Sequence, residues 1–412
     1  MVTNSNRAPL TPLLTPTDLH PVIGWEVHKA MEPLYSGFTC GQYFKVSSSP
    51  DPSSDHLPRH QARGRGTPIN PPNRFEQIRI EVDETALADL DPEDAIRPGP
   101  KTQFLDDDSQ SILSRNDSPD VPFTFGVNPY RGCEHGCAYC YARTYHEYLG
   151  WSSGLDFETK IMVKRRAPEL LRVELSKPSW QPEPINFSGA TDCYQPAERQ
   201  YQITRRCLEV ALELRNPVRI VTKNSLITRD LDLLGEFASW KGVDAMITLT
   251  SLDTKLAGQL EPRAARPQAR LDTIRKLTAA GIPVGIMISP IIPGLTDHEM
   301  PEIMKAAAAA GAKSASMIVL RLPFSVKDLF VDWLETHAPG KKARVLSRLR
   351  DIRGGELNVT EWKSRMRGEG PHAENIRNLF VAARRRAGLA PDLPDLNCTA
   401  FRRPGGTQLD LL

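Results

Sequence analysis

Long uninterrupted apolar runs are missing from this chain. The longest, Gly281 to Leu295, is broken by Pro283, Pro290 and Pro293 and is too short to span a bilayer, so no membrane partner is expected. The opening residues, Met-Val-Thr-Asn-Ser-Asn-Arg, carry neither an apolar core nor a small-residue cleavage site. The expectation is a cytoplasmic protein without a secretory signal. Net charge is nearly absent at +2, which implies no strong global field. Cysteine is scarce, with seven in 412 residues. A disulfide framework does not fit, because three are close neighbours that cannot all pair while Cys40, Cys193, Cys207 and Cys398 stand singly.

What is present is Asn128-Pro-Tyr-Arg-Gly-Cys133-Glu-His-Gly-Cys137-Ala-Tyr139-Cys140-Tyr141. A four-iron, four-sulfur cluster ordinarily takes four thiolates, one per iron. Three thiolates at CxxxCxxC spacing leave one iron open, and an open iron can hold a substrate or cosubstrate. A structural zinc site is the plain alternative. Such sites usually come as two CxxC pairs or a CxxC with an HxxxH partner, and no second pair exists here. A non-enzymatic cluster or zinc protein for binding or sensing is the reading of another class. His135 lies inside the loop and reads as a loop residue, not a ligand.

Composition and periodicity divide the chain. Residues 1–70, rich in Pro, Ser, Thr and Gly, predict a disordered extension. Residues 71–120 mix acidic and apolar segments and predict a wrapping segment without a core of its own. From Val121 an alternation begins, with strands predicted at Phe123–Val127, Ile185–Phe187, Val218–Val221, Ala245–Leu249, Val284–Ile288 and Ser316–Leu320. Helices are predicted between them at 167–176, 197–215, 226–239, 268–280 and 297–311, the fourth stopped by Gly281 and Pro283. Six such units predict an α/β fold with a parallel sheet curled into a partial (βα)6 barrel over residues 121–325. Residues 326–412 predict a helical cap, with helices at Asp328–His337, Lys342–Leu349 and about 372–387, the last with Leu379, Phe380 and Val381 on its apolar face.

In parallel barrels functional groups gather where strands end. The second strand runs into Ser188-Gly-Ala-Thr191-Asp192-Cys193, where Thr191 and Asp192 fit either a ligand amine or an N-cap. Lys223, after the third strand, fits a ligand carboxylate or plain solvation, and Ser251, after the fourth, could reach the same ligand. Arg270 fits a ligand carboxylate or a pair with Glu261.

These pieces in order resemble the radical S-adenosylmethionine superfamily, and within it the branch containing spore photoproduct lyase, which reverses a thymine–thymine lesion in DNA. The resemblance spans about residues 121 to 300 and rests on CxxxCxYCY, Thr191-Asp192, Thr222-Lys223-x-Ser225 and Glu261-Pro-Arg…Arg270…Pro290-Ile-Ile-Pro-Gly-Leu295. Over 66–405 the chain also resembles an uncharacterised bacterial subgroup that shares Asn116-Asp-Ser-Pro-Asp120, Gly154-Leu-Asp-Phe-Glu-Thr-Lys160 and Arg365-Met-Arg-Gly-Glu-Gly370. The resemblance implies a [4Fe–4S] cluster on Cys133, Cys137 and Cys140 and S-adenosylmethionine on the open iron. It also implies an electron donor such as flavodoxin or ferredoxin, and a 5′-deoxyadenosyl radical as the hydrogen abstractor. It places Thr191, Lys223 and Ser251 at the methionine end of the cosubstrate, with Asp192, Arg270 and Tyr139 as further cofactor-binding candidates. Tyr139 and Tyr141 match two tyrosines used to return a hydrogen atom. Where the lyase has its hydrogen-donating cysteine this chain has Gly189-Ala190, and Cys193 substitutes only if the loop turns it inward.

The substrate expectation is nucleic acid, with modification of a small molecule or protein as the alternative. Residues 341–412 hold 15 Lys and Arg against 8 Asp and Glu, a basic appendage that fits a nucleic-acid partner or a solvated helix surface.

Overall fold

The structure, a computed structural model, describes residues 44–47, 55–56, 62, 64–75, 79–82 and 101–403. The expectation of disorder over residues 1–70 lies mostly outside them, as does Cys40. Phe44–Ser47 and Arg79–Val82 pair antiparallel within a unit of their own. Everything that follows belongs to the second unit, residues 52–76 and 97–412.

Six strands stand in chain order across one parallel sheet: β1 (Phe125–Val127), β2 (Ile185–Phe187), β3 (Val218–Thr222), β4 (Val243–Thr248), β5 (Val284–Ile291) and β6 (Ser314–Val319). The order never reverses, so the sheet has no switch point of the doubly wound kind and curls into an open barrel instead. Leu113–Arg115 closes the near edge as an antiparallel strand beside β1. At the far edge, the chain after the last helix bridges to β6, with Ala315 N–H donating to Ala390 O at 3.1 Å. Strand interiors such as Ile185, Phe187, Val243 and Ile286 are completely buried.

Among the described residues the α-helices longer than four residues are α1 (Ala167–Ser176), α2 (Ile203–Glu213), α3 (Leu231–Ser239), α4 (Thr254–Leu260), α5 (Pro267–Ala279), α6 (Met300–Ala309), α7 (Val326–His337), α8 (Pro339–Asp351) and α9 (Gly370–Arg386). The Gly281 stop is present at φ 78°, followed by Pro283. Several expectations need correction. The first strand starts at Phe125, not Phe123. The helix expected over 197–215 is two pieces, broken where Gln202 adopts φ 51°. The helices expected from 226 and 297 open as 3-10 turns, Ser225–Asp230 and Asp297–Glu299. On α9 the buried residues are Ala373, Ile376, Phe380 and Ala383, spaced three and four apart as one helical face requires, whereas Leu379 and Val381 are exposed. A small sheet of Gln103–Asp106, Lys160–Val163 and Tyr130–Arg131 was not expected. Its strands are too short and mixed to show a period.

Candidate functional site

The cysteine loop leaves β1 at the end of the barrel where parallel strands terminate. It is pinned by backbone bonds from Cys133 N–H to Phe157 O (2.9 Å) and from Ala138 N–H to Leu260 O (3.0 Å). Gly136 turns at φ 65°, and a Cβ there would lie 2.5 Å from a Glu158 carboxylate oxygen. Gly66 faces it, and its Cβ would lie 1.6 Å from Gly136 O, so only glycine lets the 64–70 segment strap the loop.

Beneath the loop lies Arg143, wholly buried. Its Nε donates to Cys137 O (3.0 Å), one terminal nitrogen to Ser153 O (3.2 Å) and Gly154 O (2.8 Å), and the other to Glu158 (2.5 Å). Glu158 also accepts from Gly66 N–H at 2.9 Å. One guanidinium thus ties the loop carbonyl, the 153–154 turn and the strap together.

Cys133 and Cys137 are each 7% exposed, Cys140 is partly exposed, and all three are free thiols. Burial, then Asp192 and the two neighbouring thiols, pushes the Cys133 thiol far up. Among the described residues no three or more of His, Cys, Asp and Glu converge on a single-ion position. A cubane does not require convergence, because each thiolate binds a different iron. The three thiols therefore fit a multi-iron cluster with one iron left to a cosubstrate.

The strand ends supply a polar floor. Asp192 bridges strands, accepting from Thr222 Oγ1 (2.7 Å), Lys223 N–H (2.8 Å) and Tyr194 N–H (2.9 Å). His135 lies between Asp192 (3.4 Å from Nδ1) and Asn224 (3.1 Å from Nε2), and burial lowers its pKa to about 4, so the ring is neutral and positions the loop. Thr191 donates its hydroxyl proton to Tyr130 O at 2.7 Å, which leaves its lone pairs available to an amine. Ser251 donates to Glu299 (2.8 Å), a partner the sequence did not suggest.

Tyr139 and Arg270 both converge on Glu261, which Thr250 also reaches at 2.7 Å. Burial alone would raise the Glu261 carboxyl, but Arg270 and Lys223 pull it down to about 2. The remaining Arg270 nitrogens donate to Ala265 O (2.8 Å) and Thr248 O (2.9 Å). Of the two expectations for Arg270, a ligand carboxylate or a pair with Glu261, the pair is the one present, and its other bonds are made to the backbone. Cys193 is fully buried, with Asp192, Ser188 and Glu198 around it, and burial followed by Asp192 pushes its thiol far up. Tyr141 is accessible and donates to Gly189 O at 2.7 Å.

Lys223 differs from its neighbours. Burial alone would lower its ammonium, but the Cys137 thiol and Glu261 raise it, and no hydrogen bond or ion pair to its Nζ is present among the described residues. It is a half-buried cation facing the cysteine loop without a partner of its own.

The segments shared with the bacterial subgroup meet in space. Asp120 accepts from Lys363 N–H (2.7 Å) and Arg365 Nε (2.6 Å), and Ser118 accepts from Arg365 (2.7 Å). Gly154–Lys160 supplies Glu158 to the cysteine loop. Arg143 and Glu299 were missed because nothing local marks them.

The sequence model of the radical SAM superfamily matches residues 127–307. An uncharacterised protein of Mycobacterium tuberculosis is 36% identical over 234 residues, covering 56% of this chain and 68% of that protein. A protein named radical SAM Nalpha-GlyT isomerase, from Pseudomonas phage M6, is 30% identical over 42% of this chain and 34% of its own. Spore photoproduct lyase complexed with dinucleoside spore photoproduct shares the fold, with TM-score 0.52 and 14% identity over 69% of this chain and 80% of that one.

Proposed function

This chain belongs to the radical S-adenosylmethionine superfamily, and on that premise we propose that Cys133, Cys137 and Cys140 hold its cluster while Lys223 receives the carboxylate of its cosubstrate. The cofactors of the family are a [4Fe–4S] cluster and S-adenosylmethionine, and its members need an electron donor. When bound and reduced, these cofactors supply a 5′-deoxyadenosyl radical that abstracts hydrogen from a substrate. The observation that carries the assignment is the Lys223 ammonium, unpartnered among the described residues, beside the Cys137 thiol of a loop that holds three free, neighbouring thiols. Thr191 supplies acceptor lone pairs for the amine, and Glu299 orients Ser251. Glu261, held by Arg270, fixes the Tyr139 ring beside the last cysteine, and Tyr141 is the tyrosine left accessible to substrate.

The test is anaerobic incubation of reconstituted protein with dithionite and S-adenosylmethionine. Release of 5′-deoxyadenosine is expected, and its absence from protein with full iron content would overturn the reading. Lys223→Ala is expected to keep its iron and lose about 1.5–3 kcal/mol of cosubstrate affinity, roughly ten- to 150-fold. Unchanged affinity, read by equilibrium dialysis, would remove Lys223 from the site.

For the substrate we favour a nucleic-acid strand. A cavity of about 550 Å³ opens between the loop after β5, α8 and α9, lined by Lys341, Arg344, Arg348 and His372 over Ile376 and Leu379. The Arg344 and Arg348 stems pack on Gly294, where a Cβ would come within 3.3 and 3.2 Å of them. Arg348 pairs with Asp297 at 3.3 Å, which leaves the basic rim in excess. Binding to an oligonucleotide is expected to weaken with salt. Lys341→Gln with Arg344→Gln should flatten the log–log slope by about 0.7–0.9 for each phosphate that is no longer neutralised. An identical slope in the double variant would mean that the phosphates are held elsewhere.

A further inference from the structure

Six of the ten exposed large apolar side chains among the described residues are aromatic, and five of them fall in two contact groups joined along one turn, a row in that sense. It begins directly after Cys140, on the 3-10 turn Tyr141–Leu149. Tyr141 meets Tyr145 edge-on at 6.4 Å between centroids. Tyr145 and Tyr148 are three residues apart, and in a 3-10 turn such positions eclipse, so both rings leave the same face. Tyr148 then meets Phe75 at 5.0 Å. The Arg74 guanidinium lies over Phe75 (4.7 Å), Tyr148 (5.4 Å) and Phe324 (4.1 Å), joining the fifth ring to the row. Tyr145, Tyr148, Phe75 and Phe324 are 52, 68, 54 and 58% exposed.

The charges on this face are arranged to one effect. The carboxylate that holds Arg74, Glu147, is buried beneath it at 2.9 Å, and the Asp120 carboxylate, which holds Arg365, is also buried. Arg321 lies 5.7 Å from the Tyr141 ring centre. What reaches the surface is therefore aromatic faces and guanidinium groups, with their counter-charges underneath. Phe324 is displayed from a left-handed backbone (φ 48°), which is uncommon for an aromatic residue and is held only when the surroundings require it.

We propose that this row is a stacking platform for successive bases of a single-stranded nucleic acid, leading into the cysteine loop. The proposal rests on the nucleic-acid reading above and adds a site to it. Every base presents a π-face, so exposed rings with interleaved arginines bind a strand without reading its sequence. Exposed rings can stack only on bases whose faces are uncovered, as in an unpaired strand, which favours a single strand over a duplex.

The test is fluorescence anisotropy of a labelled single-stranded DNA oligonucleotide on the anaerobic holoprotein. Tyr145→Ala, Tyr148→Ala and Phe324→Ala are each expected to weaken binding about five- to 150-fold, and Tyr148→Phe to keep it, since stacking uses the ring and not the hydroxyl. An equivalent duplex should bind more weakly than the single strand. All three alanine variants binding like the unaltered protein, or Tyr148→Phe losing as much as Tyr148→Ala, would overturn the platform alone. An unaltered protein that cleaves S-adenosylmethionine but binds no oligonucleotide would overturn the nucleic-acid reading and the platform with it. All three variants are exposed, so circular dichroism and iron content should match the unaltered protein.

Discussion

Replacing any one of Cys133, Cys137 or Cys140 by alanine is expected to abolish cofactor cleavage and strip the protein of its cluster. The unaltered chain, purified without oxygen, should carry about four irons and four sulfides. Each of the three variants should lose most of both, because a cubane held at three corners has no spare protein ligand. Cys207→Ala and Cys398→Ala should keep their iron, since Cys207 lies on the buried face of α2 and Cys398 near the C-terminal end of the described chain. Iron and sulfide analysis with visible absorption decides it. Stoichiometric zinc and no thiolate-to-iron absorption would sink the cluster assignment. The loop geometry makes a partial effect unexpected, because Cys133 and Cys137 are both pinned through backbone bonds of their own loop.

The second large effect concerns stability. Arg143→Met removes a buried guanidinium and leaves the Glu158 carboxylate, equally buried, without its ion-pair partner and, among the described residues, with only the Arg65 guanidinium nearby. Breaking a buried pair from one side costs up to about 3–5 kcal/mol, because the remaining charge is desolvated and poorly compensated. The loss should appear as a lower denaturation midpoint in urea and as a cysteine loop that no longer retains iron. Adding Glu158→Gln should recover part of the stability, since the side chain left behind is then neutral and can still accept from Gly66 N–H. A double variant no more stable than Arg143→Met would mean that the backbone bonds of Arg143, not its pairing with Glu158, dominate.

Much of the barrel was legible from local pattern. Runs such as Val218–Val221 and Val284–Ile288 are apolar because their strands are covered on both faces, and helices such as 167–176 carry period and stop signals within themselves. Where the pattern misled, competing local forces were responsible. Leu379 and Val381 look like part of an apolar face, but only residues in phase with Ile376, Phe380 and Ala383 can point inward together. Glu198–Tyr201 and α2 read as one helix because a single left-handed residue, Gln202, leaves no trace in hydropathy.

The site divides in the same way. Sequence alone singled out the three cysteines proposed to hold the cluster, because they lie on one short loop and their spacing is a property of the chain. It also determined that Thr191, Lys223 and Ser251 stand at strand ends, because strand order and strand length put them there. It could not decide what each of them does. That depended on partners far away in sequence: Glu299 for Ser251, Glu261 for Arg270 and Tyr139, Glu158 for Arg143, and the absence of any for Lys223 among the described residues. A side chain's role at a barrel mouth is set by which charges surround it after the strands curl together, and by which of its bonds the protein has already satisfied. Those are properties of the curled sheet, and no stretch of the chain carries them by itself.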